Sequence, residues 1–125
     1  MYIVFAVFLF LHGFAHLVGF AGPWGVAGMM KPYGELLGGR IPTGLVGMRI
    51  VGIFWLLGTL AFAAAALGVL RHSPWWPAVT LVAAVGSLVL SILGLPESRL
   101  GIPINIVIIS ALILAQLSGS TFVTA

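Results

Sequence analysis

Four stretches of the chain stay apolar over the length of a long helix, Tyr2 to Gly22, Gly44 to Leu70, Trp75 to Leu95 and Ile102 to Leu117, and most polar residues fall between them. At about 1.5 Å of rise per residue, the first three reach across a ~30 Å hydrocarbon core, and the shorter fourth does so if it stands nearly upright. Chain breakers agree with this division. Gly22-Pro23 closes the first stretch, Pro42-Thr43 precedes the second, Ser73-Pro74 stands before the third, and Pro96 separates the third from the fourth. The pattern predicts an all-α fold: an integral membrane bundle of four transmembrane helices in a single domain, with a tail that frays beyond Ser118.

Composition strengthens the membrane reading. Of 125 residues, 62% are hydrophobic and 6% charged, a balance that on a soluble domain would leave large apolar patches in water. The lipid bilayer is therefore the first partner the sequence implies. A removable leader would carry a basic start and a small-residue cleavage site ahead of a polar chain; the first stretch has neither, and it is read as a span. There is no cysteine, which removes disulfides, thiolate metal sites and a cysteine nucleophile.

The formal charge of +3 comes from scattered residues that make no nucleic-acid-binding cluster. Their value lies in topology. Lys31 and Arg40 in the first loop, Arg49 just inside the second span and Arg99 in the third loop share one side, whereas Arg71 and the terminal amine lie on the other. The positive-inside rule then puts loops 1 and 3 in the cytoplasm and both termini outside. Trp75 and Trp76 are expected in an outer interfacial belt and Trp24 in an inner one, with Trp55 inside a span. The loop from Pro23 to Thr43 mixes apolar pairs with Gly, Pro, Lys31, Glu35 and Arg40. It is expected to lie along the interface as a broken segment over the cytoplasmic mouth, with Tyr33 and Glu35 as a candidate lid.

The polar residues inside the spans carry the candidate chemistry. His12 and His16, in LHGFAHLVGF, are four apart and share one helical stripe, His16 about 6 Å nearer the cytoplasm. Gly13, Ala15 and Gly19 beside them allow close helix approach. Arg49 lies a turn or more into the second span, Ser87 and Ser91 are four apart in the third, Glu97 closes the third, and Asn105 opens the fourth. The inner half of the bundle thus receives polar groups from every helix, while the outer half offers little beyond Thr59, Thr80 and Gln116.

Ionisable groups at membrane depth usually face the bundle interior with a partner. The expectation is an inner-leaflet polar site of His12, His16, Arg49, Glu97 and Asn105, with Arg49 and Glu97 as an ion pair. A structural reading competes with it: Arg49 snorkelling to the interface, the histidines bonded to carbonyls or to Ser and Asn of neighbours, Asn105 as interhelical glue, and Trp55 with Phe5, Phe8, Phe10 and Phe14 as packing or lipid-facing residues. His72 beside Arg71 reads as an interfacial loop residue.

Few chemistries survive this inventory. The chain has no Asp, no GxSxG and no Walker-type loop, so hydrolytic and nucleotide-driven functions lack support. Two histidines on one stripe cannot take opposite faces of one haem, which leaves a single-histidine or dimer-bridging haem. The same pair can supply two ligands to a metal ion, with Glu97 as a third. Proton relay through histidine and glutamate is chemically open. No cofactor is named by the residues themselves.

LHGFAHLVGF resembles the first-helix signature of the DoxX-like family of small four-helix bacterial membrane proteins, in which a His-Gly pair follows an apolar run; His16 stands where that family commonly has lysine. Over nearly its full length, through HGFAH, GMRIVGIFWL and GLPESRLGIPIN, the chain resembles a group of small bacterial membrane proteins sometimes labelled permease components. The resemblance implies a multi-pass protein of the bacterial plasma membrane and, from the redox and sulfur-metabolism associations of DoxX-like proteins, an accessory role.

The reading that results is a binding or accessory subunit, not an enzyme, whose polar site takes a small or amphipathic ligand, a partner membrane protein or a second copy of itself. The alternatives are a transporter or proton-linked permease component and a metal- or haem-binding redox protein. The redox alternative predicts stoichiometric metal or a visible absorption band in the purified protein, lost in the His12→Ala/His16→Ala double variant; elemental analysis and an absorption spectrum check it.

Overall fold

A computed structural model describes residues 1–29 and 35–119. Lys31 and Tyr33, and the expected frayed tail from residue 120, lie outside the described residues. The chain is mostly helical: α1 (Tyr2–Ala15), α2 (Leu17–Trp24), α3 (Gly44–Leu70), α4 (Trp76–Leu93) and α5 (Gly101–Leu117) occupy the four apolar stretches. α1 and α2 form one rod. They meet at His16, which keeps right-handed helical angles while the bonding tightens to His16 N–H on Gly13 C=O and Gly19 N–H on His16 C=O. Three rods, Tyr2–Trp24, Gly44–Leu70 and Trp76–Leu93, are long and apolar enough to cross a membrane, and α5 is a shorter apolar helix of 17 residues.

α1 and α2 pack along α3, α3 along α4, and α4 along α5. Close approach depends on small residues. A Cβ at Gly13 would lie 2.6 Å from the Cβ of Phe62, and one at Gly19 would overlap the Trp55 indole, so these glycines admit two large α3 side chains onto the first rod. Alanines do the same in the core, where Ala6, Ala65, Ala66, Ala83 and Ala84 surround Leu9, Phe62, Val69, Trp76, Ile108 and Leu112. That apolar core fills the half of the bundle bearing the N-terminus and the 71–75 turn, where the Tyr2 and His72 rings meet edge to face at 4.8 Å.

Trp76 is therefore not an interfacial residue. It is 2% exposed and packs on Phe5 at 5.7 Å, whereas Trp75 is 45% exposed. Consecutive helical positions point about 100° apart, so only one of the two indoles can face outward. The outer surface is otherwise apolar: Ile3, Val46, Val82, Val107 and Leu114 are all exposed, while Thr80, Ser87, Ser91 and Asn105 are buried. Thr59 and Thr80 satisfy their hydroxyls on the carbonyls of Trp55 and Trp76 one turn back.

The other end of the bundle is built by loops. Residues 35–42 form a small antiparallel hairpin pairing Glu35 with Pro42 and Leu36 with Ile41. Its turn needs left-handed backbone at Leu37, Gly38 and Gly39, a region that glycine enters without strain. Leu36 is buried, and the N–H of Leu37 donates to the carbonyl of Leu93 at 2.8 Å. That carbonyl belongs to the last turn of α4, whose four carbonyls have no helical partner. The others are met by Gly94 N–H on Leu90, Ser98 Oγ on Ser91 and Leu95 N–H on Ile92. The first and third loops are thereby fastened to one helix end.

Gly13→Ala is expected to destabilise the protein by about 1–3 kcal/mol, because the new methyl must displace Phe62. Gly86, beside which a Cβ meets nothing within 4 Å, is the control: Gly86→Ala should be neutral or stabilising by up to about 1 kcal/mol. Unfolding in neutral detergent, followed by circular dichroism, checks the pair.

Candidate functional site

Between the apolar core and the loop end, four side chains close a hydrogen-bonded ring. The direction of every bond in it follows from groups that can only accept. Asn105 Nδ2 donates to the Gly101 carbonyl at 2.8 Å, which fixes the amide so that Oδ1 faces His12 Nε2 at 3.1 Å. Oδ1 has no hydrogen to give, so His12 carries its proton on Nε2 and donates. The carbonyl of His12 takes the Nδ1 proton of His16 at 2.8 Å. Ser87 Oγ accepts from Asn105 Nδ2 at 2.7 Å and, toward the uncharged ring, donates to His16 Nε2 at 2.6 Å.

This ring joins the first rod to α4 and α5 at once. Ser87, Asn105 and His16 are 1%, 0% and 4% exposed, so water is not available to replace a lost partner. The imidazoles are further fixed by ring contacts: His12 lies edge to face with Phe62 at 4.8 Å and with His16 at 4.9 Å, and His16 lies 5.1 Å from the Trp55 ring. Three of the four imidazole nitrogens are hydrogen-bonded. Among the described residues, no three His, Cys, Asp or Glu side chains converge in a way that could hold a metal ion.

Below the ring opens a cavity of about 690 Å³. His12 and His16 stand at its inner end, Val51, Trp55 and Ile104 along its sides, and Glu35, Leu36, Glu97 and Ser98 toward the loops. Sequence reasoning placed His12, His16 and Glu97 at such a site, and the fold brings all three to it, with Glu35 of the candidate lid. Asn105 stands behind His12 and does not line the cavity; it holds the imidazole in place.

Arg49 is elsewhere. Its Nε donates to the Pro23 carbonyl at 3.4 Å, its guanidinium carbon sits 5.4 Å from the Trp24 ring centre, and Trp24 Nε1 donates to the Arg49 carbonyl at 3.0 Å. The expected Arg49–Glu97 ion pair is not formed. The last carbonyls of α2 are unpaired within the helix and form the negative end of its dipole, and together with the indole face they hold the cation on the near side of the bundle.

Two contributors were not assigned to the site from the sequence. Ser87 accepts one bond and makes another at the centre of the ring, a role signalled by its polar position four residues from Ser91 in an apolar helix. Trp55, expected as packing or lipid-facing, lies tilted against the His16 ring and lines the cavity; the small residue at Gly19 that admits it was the available signal. Comparison of the chain with family models, with curated proteins and with solved structures gives no match, so the reading of this site rests on its geometry.

Replacing Asn105 by Leu removes an acceptor from His12 and a donor from Ser87, and is expected to cost about 2–4 kcal/mol. Ser87→Ala should cost about 1–3 kcal/mol and be strongly non-additive with it, because both changes break the same ring. Arg49→Ala, at an exposed position, should cost under about 1 kcal/mol. Detergent unfolding of the three single variants and the Asn105/Ser87 double variant measures these differences.

Proposed function

We propose that this chain is a multi-pass membrane protein of four transmembrane helices that acts as a non-enzymatic binding or accessory subunit, receiving a small or amphipathic molecule in the cavity at the loop end. The observation that carries this reading is the cavity itself: about 690 Å³ of space, walled mainly by apolar side chains and bounded by a few polar ones, inside helices whose outer surface is apolar. Small-molecule sites have this size and this mixture. The histidines at its inner end are bonded into the scaffold, which suits a site that holds a molecule in place.

Orientation follows from charge. Arg40 and Arg99 flank the loop end and Arg71 the opposite end, so the positive-inside rule turns the cavity toward the cytoplasm, within the inner leaflet of a bacterial plasma membrane. The likeness of HGFAH to the DoxX-like first helix supports an accessory role beside a larger membrane complex.

A bulky side chain placed in the cavity tests the reading. In neutral detergent, octanol is expected to raise the unfolding temperature of the wild type saturably, by about 1.4 kcal/mol of added stability near ten times its Kd. Ile104→Trp and, independently, Val51→Trp should retain their helical signal and lose that response. Wild-type protein without a saturable shift, or both variants responding as the wild type does, overturns the assignment.

A further inference from the structure

Two serines one turn apart on α4 share a face of the helix, but their hydroxyls are used differently. Ser87 Oγ is fully committed to the ring, giving one bond and taking another. Ser91 is 1% exposed, yet its Oγ makes no hydrogen bond among the described residues. The two neighbouring groups that reach toward it go elsewhere: Ser98 Oγ donates to the Ser91 carbonyl, and Asn105 Nδ2 to Ser87 Oγ and the Gly101 carbonyl. Among the described residues, every side-chain nitrogen or oxygen that is completely enclosed has a partner, so the Ser91 hydroxyl keeps a small open surface. The space that Ser91 borders is the cavity.

Gly101, which lines the same cavity, leaves room at that hydroxyl. A Cβ at position 101 would overlap Ser91 Oγ, and it would lie 3.8 Å from Asn105 Nδ2. Ser91 Oγ therefore stands beside the ring, at the contact of α4 with α5, without belonging to it. The nearby polar side chains of the lining are already engaged: both nitrogens of His16 are bonded within the scaffold, and Ser98 Oγ is held by the Ser91 carbonyl. A hydroxyl left without a partner in apolar surroundings costs free energy until something bonds to it. A molecule that brings the missing partner recovers that cost as affinity.

We infer that Ser91 is the polar anchor of the cavity: it takes the head of a neutral, oxygen-headed amphiphile, an alcohol, phenol or ketone, whose apolar body lies along Val51, Trp55 and Ile104. This rests on the binding reading above and adds the chemical class of the ligand and the atom that recognises it. A neutral head suits the position, because a charged one would exchange its hydration for a single hydroxyl.

Two probes of nearly equal shape separate the inference from its premise: octanol and nonane, in which a methyl replaces the hydroxyl. Both are titrated into protein in neutral maltoside micelles and read by the unfolding temperature, with Ile104→Trp as the blank. Ser91→Ala is expected to weaken octanol about three- to tenfold and to leave nonane within about twofold of the wild type. Without any probe, the same variant should unfold no earlier than the wild type, since its hydroxyl has no partner to lose. Octanol binding that Ser91→Ala leaves unchanged, or an equal loss for both probes, overturns the inference and leaves the cavity as a binding site. A Ser91→Ala protein that unfolds earlier without probe, or fails to fold, makes the hydroxyl a part of the scaffold and overturns it as well. If neither probe gives a response that Ile104→Trp removes, the binding reading itself falls.

Discussion

A polar group carried into an apolar bundle has to be satisfied by another polar group of the same chain, because the surroundings offer it nothing. This fold meets that demand in two places. Across the middle, His12, Asn105, Ser87 and His16 bond in a ring whose donors all run one way. At the end of α4, the four carbonyls left over by helical bonding are taken by Gly94, Leu95, Ser98 and Leu37. Remove the first and the rods lose their register; remove the second and the two loops lose their anchorage. The cavity lies between these two fixtures.

The molecule is consequently divided along its length. Alanine and glycine allow the rods to close tightly where Leu9, Phe62 and Trp76 interlock, and no room remains there. Beyond the histidines the cavity opens, lined by Gly19, Val51, Trp55, Gly101 and Ile104 among others. What fills the end is a hairpin whose left-handed residues Leu37, Gly38 and Gly39 turn it back over α4. Small residues allow close approach in both halves: a Cβ at Gly13 would meet Phe62, and one at Gly101 would overlap Ser91 Oγ.

The histidine pair shows how one sequence signal can hold two roles. Both imidazoles bind helices together, yet both also face the cavity, so the group that rigidifies the scaffold sets the chemistry of the inner end. The bond to Asn105 fixes a proton of His12 on Nε2. In the same way, Arg49 serves α2 and Trp24 and does not line the cavity.

Hydropathy alone determined the helices, since four long apolar runs separated by Gly and Pro have few other outcomes, and it determined that His12, His16, Asn105 and Glu97 would gather at one end, since helical rise converts residue number into depth. It could not determine partners at equal depth. Arg49 and Glu97 stand at similar levels, and only the packed structure shows that the guanidinium is held by a helix-end carbonyl and an indole and makes no ion pair with the carboxylate. Which of Trp75 and Trp76 turns inward, which rod admits Trp55, and that Glu35 meets Glu97 across a cavity were likewise decided by tertiary structure, because azimuth around a helix and the path of a turn depend on neighbours that are remote in sequence.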